Sequence, residues 1–345
     1  MKKAVKQVAG IDVAQKELVV TFGSLFDDFT IDLFAYKVFK NTENGIKLLV
    51  EWVNKLKSAD LDVNFVMEAT GVYHQKFAYY LDEKGYKLSI ILPNKISNYI
   101  RTLDIKTITD KSCSQAIARF GLERKLDFWK RPDSAYKQLQ QLTRERDQVV
   151  HERSMVKNQI HAETTEAEPH LRSLERMQMR IEFLNSQEKD IKNDIAKIVD
   201  LNPKIKEIVN RVSTIPGVGK LTAVIVLAET NGFELIRNKR QLTSYAGFDV
   251  KEKQSGTSVK GKPKISKRGN KNLRKALHLP SLSSVKWDEN FKAIYAGLVA
   301  KHGIKMKALI AIQRKVLELI YVLYKNKTEY DKGYAIKNSV QMQII

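Results

Sequence analysis

Apolar residues in the first third of the chain come in short, strand-length runs. Beyond Pro132 they recur at helical spacing instead. Residues 5–11 and 17–22 read as a hairpin around Asp12, and 30–39 as a third strand. Thr42 is placed to cap a helix that carries Ile46, Leu49, Val50, Val53 and Leu56. A strand at 63–67, a helix at 74–83 and a strand at 88–92 follow, then a break at Pro93 and helices near 96–103 and 111–122. Three strands and then helix–strand–helix–strand is the order of an α/β, ribonuclease-H-like sheet. The competing arrangement is a doubly wound nucleotide-binding sheet, but no GxGxxG or Walker A segment supports it.

After Pro132, Leu139, Leu142, Val149, Val156 and Ile160 fall on alternating three- and four-residue steps, with Arg146 and Arg153 in the gaps. The pattern stops at Glu168-Pro169 and resumes with Leu174, Met177, Ile181, Leu184, Ile191, Ile195 and Ile198, broken only by Glu188. Two heptad-like helices joined by a short polar link predict a coiled-coil arm, used as a hairpin or for oligomerisation. A helical pair packed on its own domain fits the same pattern. Asn202-Pro203 opens a last, mainly helical region, with helices expected at 205–212, 220–229, 271–279, 291–301 and 305–324. The expected domains are therefore 1–131, an arm at 132–201, a C-terminal domain at 202–326 and a polar, mobile tail at 327–345.

Composition narrows the function. The 345 residues carry a net charge of +21, which points to a polyanionic partner held by neutralised phosphates. The single cysteine, Cys113, excludes an intrachain disulfide. Neither a secretory leader nor a run approaching the ~18–20 apolar residues of a membrane span is legible. The chain reads as a soluble cytoplasmic protein that meets nucleic acid and not membrane.

Three acids stand out: Asp12 after 8–11, Glu68 after 63–67, and Asp110 after 106–109. Each is placed as if at the end of a strand, where a buried acid is costly unless paired. Acids meeting at one sheet end can share a hard divalent cation. Alternatively, each caps a helix or faces solvent. In the last region, Ile215-Pro216-Gly217-Val218-Gly219-Lys220 reads as a helix-hairpin-helix turn. Gly217, Gly219 and Lys220 there could face a phosphate, or the turn could simply pack two helices. Downstream of Tyr245-Ala246-Gly247-Phe248, residues 251–275 hold Lys251, Lys253, Lys260, Lys262, Lys264, Lys267, Arg268, Lys271, Arg274 and Lys275 against one acid, Glu252. Ser255-Gly256 and Ser258 lie inside this stretch. They could present a hydroxyl to a scissile phosphate, or the whole stretch could be a basic loop whose serines only bond phosphates. His74, beside the Glu68 segment, could touch a phosphate or merely lie on a helix surface. The other histidines have no zinc-like spacing with the cysteine. Trp52, Trp129 and Trp287 read as packing residues.

Gly10-Ile11-Asp12-Val13, Glu68-Ala69-Thr70-Gly71-Val72-Tyr73, Thr109-Asp110-Lys111 and Ala116-Ile117-Ala118-Arg119-Phe120-Gly121 resemble the N-terminal domain of the DEDD transposases of insertion-sequence family 110, relatives of the Piv and MooV DNA invertases. Ile215-Pro216-Gly217-Val218-Gly219, Tyr245-Ala246-Gly247, Ser255-Gly256 and Ile265-Ser266-Lys267-Arg268-Gly269-Asn270 with Leu273-Arg274 resemble that family's C-terminal domain, in the same order. The resemblance implies a RuvC-like domain, a coiled-coil arm and a helical transposase domain carrying a serine nucleophile. It also implies recombination of donor and target double-stranded DNA guided by a structured bridge RNA. By resemblance, Asp12, Glu68 and Asp110 are three of the metal-site acids, with Mg²⁺ or Mn²⁺ as cofactor, and Ser255 is the nucleophile, with Ser258 next. The family usually has a fourth acid three residues after the third. Here that place holds Cys113, whose soft sulfur suits magnesium poorly. Cys113 reads as a small buried residue, and Asp104 is a weak substitute ligand.

The expected function is thus a bacterial, nucleoid-associated recombinase acting as a dimer or tetramer. Two rivals remain open: a RuvC-like endonuclease or junction resolvase using metal-activated water, and a non-catalytic basic nucleic-acid-binding protein.

Overall fold

The computed structural model describes residues 2–332 apart from Thr70, Asp104, Leu235, Lys253, residues 256–258, Lys262 and Pro263; of Gln254, Ser255, Val259 and Lys260 it describes only the backbone. The chain forms two compact units, Met1–Arg131 and Pro132–Ile345.

In the first unit β1 (Ala4–Val13), β2 (Glu17–Phe26) and β3 (Ile31–Lys40) run antiparallel. Helix α1 (Glu43–Leu56), capped by the Thr42 side chain, leads into β4 (Val63–Glu68), which pairs parallel to β1. Helix α2 (Gln75–Glu83) then leads into β5 (Lys87–Ile91), parallel to β4. The sheet order is β3-β2-β1-β4-β5. Central strands β1 and β4 are buried continuously from Gln7 to Ile11 and from Val63 to Met67. Both faces are covered, which is why they read as mainly apolar runs, with only Gln7 and Asn64 polar. One face packs Phe22, Phe65 and Met67 against Leu49, Val53, Phe77 and Leu81 of α1 and α2. The other packs Val8 and Val66 against Ile96 of α3 (Pro93–Ile100) and Ile117 and Phe120 of α4 (Asp110–Glu123).

The strand ends before Pro93 as expected, but α3 starts at Pro93 itself and not near residue 96, because a missing N–H costs nothing in a first helical turn. Residues 106–109 form no strand: Ile108 is exposed, and Thr109 caps α4 through a reciprocal bond with Ser112. Asp110 therefore opens a helix and does not end a strand.

In the second unit α5 (Ser134–Thr165) and α6 (Leu171–Leu201) pack along each other. Leu139, Val149 and Val156 are buried on α5, and Ile181, Leu184, Ile191 and Ile195 on α6. Glu188, the break in the heptad, is buried as well. It bonds Arg146 and Arg153 of α5, the two gap residues, at 2.8 and 2.5 Å. The arm is not a separate body: Leu139 and Val149 share one core with the helices that follow. These are α7 (Pro203–Val212), α8 (Lys220–Glu229), α9 (Lys239–Ala246), α10 (Lys271–Ala276), α11 (His278–Trp287), α12 (Glu289–His302) and α13 (Lys305–Asn326). α9 is not expected from the sequence, and α11 replaces the end of the single helix expected at 271–279. The start of α11 is hidden by Pro280, which is tolerated in a first helical turn. Between α9 and α10 a basic hairpin has a stem, β6 (Val250–Lys251) with β9 (Lys264–Ile265), and a tip, β7 (Gln254–Ser255) with β8 (Val259–Lys260). The first tail residues are fixed: Tyr330 donates its hydroxyl to Asp288 at 2.6 Å and its N–H to Thr214 at 2.9 Å. Among the described residues no helix is long and apolar enough to cross a membrane.

Candidate active site and nucleic-acid interface

Backbone contact puts the acids together. Gly10 of β1 has no side chain, and α4 uses the space: a Cβ there would lie 2.2 Å from the Ala118 nitrogen. Gly121 approaches Val8 and Val66 in the same way, at 2.9 Å. Since Ala118 lies over Gly10 and Gly121 over Val8, α4 runs opposite to β1. Its far end is tied by Lys6, whose Nζ donates to the carbonyls of Gly121 and Arg124 at 2.5 and 2.7 Å and satisfies the orphan C-terminal oxygens. Thr21 of β2 bonds Ser114 at 2.8 Å. The N-terminus of α4 is thereby held at the carboxyl ends of β1 and β4, where Ile11 pairs with Met67 and the next residues are Asp12 and Glu68.

The electrostatics follow from this placement. Asp12 is half-buried, and its carboxyl is raised above the ordinary range by burial and then by the Asp110 charge. Glu68 is raised by burial and then by Asp12. Cys113, one turn into α4, is half-buried, with its thiol pushed up by burial and by Asp12, Glu68 and Asp110. A thiol, not a thiolate, thus stands where a fourth acid was expected, facing the other three. None of the ion pairs among the described residues involves these acids. Three hard oxygen donors in mutual repulsion suit a divalent cation. Even so, among the described residues no group of three or more His, Cys, Asp or Glu is gathered into a ready metal-binding set, so cation binding requires the side chains to draw together. The exposed Asp110 is the one most able to move. Asp104 lies outside the described residues, and His74 sits at the start of α2.

The turn between α7 and α8 carries Gly217 at φ +89°, packed on the α11 backbone: a Cβ would meet the Ser284 nitrogen at 2.6 Å. Gly217 is therefore a packing residue. Gly219 is different. It is exposed, has no atom near its missing Cβ, and begins α8 without a side-chain cap, so the first amides of α8 and Lys220 are open to an anion. On the hairpin and the helix after it, Lys264, Lys267, Arg268 and Lys271 are exposed, while Arg274 turns inward to the Ala246 carbonyl at 2.7 Å. Ser255 and Lys260 lie on the tip strands, which are described by backbone alone; Ser258, Lys253 and Lys262 lie outside the described residues. Trp287 is no packing residue: it is 66% exposed, with the Lys286 ammonium 4.8 Å above its ring.

Sequence reasoning missed Glu229 and Asp249. Glu229, at the end of α8, is buried and bound by Arg144, Asn270 and Asn272. Burial alone would raise its carboxyl, but hydrogen bonds from Arg144 and Asn270 outweigh that and hold it low. Asp249 accepts the Ser266 hydroxyl at 2.6 Å. The available signal was a lone acid closing the apolar run 223–228.

A family model described as a transposase, of the DEDD IS110 type, matches residues 9–169, and one described as "Transposase IS116/IS110/IS902 family" matches residues 209–296. The pilin gene-inverting protein of Moraxella lacunata is 26% identical over 95% of this chain and 98% of its own. The transposase for insertion sequence element IS1111A of Coxiella burnetii is 25% identical over 78% and 79%. The solved structure of T. thermophilus RuvC in complex with Holliday junction substrate aligns over 36% of this chain and 99% of that one, at 10% identity and a TM-score of 0.28. With its two family matches in order along most of its length, the chain belongs to the IS116/IS110/IS902 family of transposases.

Proposed function

We propose that this transposase cuts and rejoins donor and target DNA duplexes through a covalent phosphoserine on Ser255. In this reading Asp12, Glu68 and Asp110 of a RuvC-like unit hold Mg²⁺ or Mn²⁺, and a structured guide RNA selects the sites. The observation that supports it is that Asp12, Glu68 and Asp110 lie near one end of the sheet without ion-pair partners among the described residues, two of them raised by burial and by a neighbouring acid's charge. Such an arrangement is unfavourable without a cation and useful with one. The cation would polarise a phosphate oxygen and sharpen a hydroxyl nucleophile. The hairpin lysines and arginines would neutralise the DNA backbone, in keeping with a chain charge of +21. In the first step the Ser255 oxygen bonds to phosphorus as the bond to a deoxyribose oxygen breaks, and the serine proton passes to solvent or to that leaving oxygen. Attack by another strand's hydroxyl reverses the step, so no ATP is needed. Holding two duplexes calls for a dimer or tetramer, acting in the cytoplasm on nucleoid DNA.

The names of the relatives, a gene-inverting protein and a transposase, agree with this reading. The test is adduct trapping on nicked DNA with Mg²⁺, followed by peptide mapping. Wild type should carry DNA on Ser255. Ser255→Ala should bind DNA and guide RNA with unchanged affinity and form no adduct. Cation-dependent cleavage with no adduct would replace this reading with a water-using RuvC-like nuclease. No cleavage under any condition would leave a binding protein.

A further inference from the structure

We infer that Glu229 is a positioning residue, the clasp that fixes the hairpin bearing Ser255. The inference rests on the proposed role of Ser255. Glu229 closes α8 with its side chain 1% exposed. Arg144 of α5 grips both carboxylate oxygens at 2.8 Å. Asn270 donates to one of the same oxygens at 2.7 Å and Asn272 to the other at 2.8 Å. The main-chain carbonyl of Glu229 accepts the Tyr245 hydroxyl at 2.8 Å. Tyr245 stands just before the hairpin leaves α9, and Asn270 stands where it enters α10. Both feet of the hairpin thus end on one residue.

The feet are also joined to each other. The Asn270 N–H donates to the Tyr245 carbonyl at 2.8 Å, and the Lys267 N–H to Gly247 at 3.2 Å. A Cβ on Gly269 would lie 2.5 Å from the Tyr245 oxygen, so only glycine permits this approach. Higher up, Ser266 bonds Asp249 twice, through N–H to the carbonyl at 2.7 Å and through its hydroxyl to the carboxylate at 2.6 Å. Lys267 is held at φ +52°, a left-handed conformation that a non-glycine residue keeps only where its surroundings impose it.

The stem strands β6 and β9 are two residues each. Strands this short have no independent stability, so the hairpin takes its position from its root. A nucleophile displaced by about 1 Å loses on the order of 100-fold in rate. A clasp at the root therefore acts on the chemical step and leaves binding to the exposed cations.

The experiment compares wild type, Glu229→Gln and Asn272→Ala; the second variant removes one arm of the clasp while keeping the Arg144 pair. DNA affinity, the adduct rate at saturating DNA, and hydrogen exchange at the Ser266, Lys267 and Asn270 amides are measured in each. Both variants should bind DNA within about twofold of wild type, exchange the three stem amides at least about tenfold faster, and form adduct up to about 100-fold more slowly. Amides of Val226 and Leu227 in α8 should stay protected, which separates a loosened root from an unfolded domain. Unchanged stem exchange, or loosened stems with undiminished adduct rates, would overturn the inference. If Glu229→Gln unfolds, Asn272→Ala decides. If wild type forms no adduct at all, the serine proposal fails and stem exchange alone judges the clasp: protection lost in the variants upholds it, protection kept overturns it.

Discussion

Replacing Glu188 by Gln should remove the charge that locks the two arm helices in register. Its side chain is 8% exposed and meets Arg146, Arg153 and Lys192 at 2.8, 2.5 and 2.8 Å. Burial alone would raise the carboxyl, but hydrogen bonds from Lys192, Arg146 and Arg153 override it and hold it at about 2 against an ordinary 4.5. At 1.36 kcal/mol per unit, that difference contributes roughly 3 kcal/mol at pH 7. The sign is that of a depressed acid. The stabilisation is essentially complete above pH 4.5 and fades as the pH falls toward 2, leaving less than half of it at pH 3. Urea unfolding of wild type and Glu188→Gln at both pH values, followed by exchange of α5 and α6 amides, isolates the difference from the protonation of other carboxylates. The expected loss is about 3 kcal/mol at pH 7 and less than half of that at pH 3. A difference that does not change with pH would refute the electrostatic account and leave only packing.

Three further outcomes are expected. Asp12→Asn should abolish cation-dependent activity yet raise the melting temperature of the metal-free protein. The Asp12 carboxyl is raised in the fold, so its ionised form costs stability as pH rises through the carboxylate range; melting curves at pH 4 and pH 8 should show the gap opening only at the higher value, and a lower melting point at pH 8 would contradict it. Gly10→Ala should cost about 1–3 kcal/mol by overpacking α4 and should weaken cation binding by moving Asp110, as read by thermal melts with and without Mg²⁺; unaltered cation response would remove the link between that contact and the site. Cys113→Asp should lower the metal-free melting point, because it adds a fourth carboxylate to three, and should enlarge the Mg²⁺-induced rise; loss of stability without a larger rise would mean the position serves packing alone.

The parts of the fold legible in the sequence are those where one local force dominates. The two-sided burial of β1 and β4 leaves mainly apolar runs, and the arm leaves a heptad. Glu188 looked like a flaw in that heptad because its partners, Arg146 and Arg153, lie on a helix more than thirty residues away. Where punctuation is ambiguous the boundaries shift: Pro93 both follows the end of a strand and starts a helix, and the packing of Ile96 and Tyr99 into the core extends that helix back to the proline. Residues 106–109 looked strand-like through β-branched Thr and Ile, but capping by Thr109 prevailed.

The acid site was legible only through its motif, and the structure supplies the missing physical cause. Asp12 and Glu68 become neighbours because β1 and β4 pair in parallel, a choice no local pattern dictates. Asp110 joins them because Gly10 lets α4 lie directly on β1 in the opposite direction. In the sequence Gly10 is only one residue of a signature, yet it sets the distance between helix and strand, while Lys6 ties the far end of the same helix. The same geometry accounts for Cys113. One turn past Asp110, it inherits a position facing three acids whether or not it binds anything. A thiol there lightens the repulsion that a fourth carboxylate would add, and so eases the metal-free fold at the expense of one hard ligand.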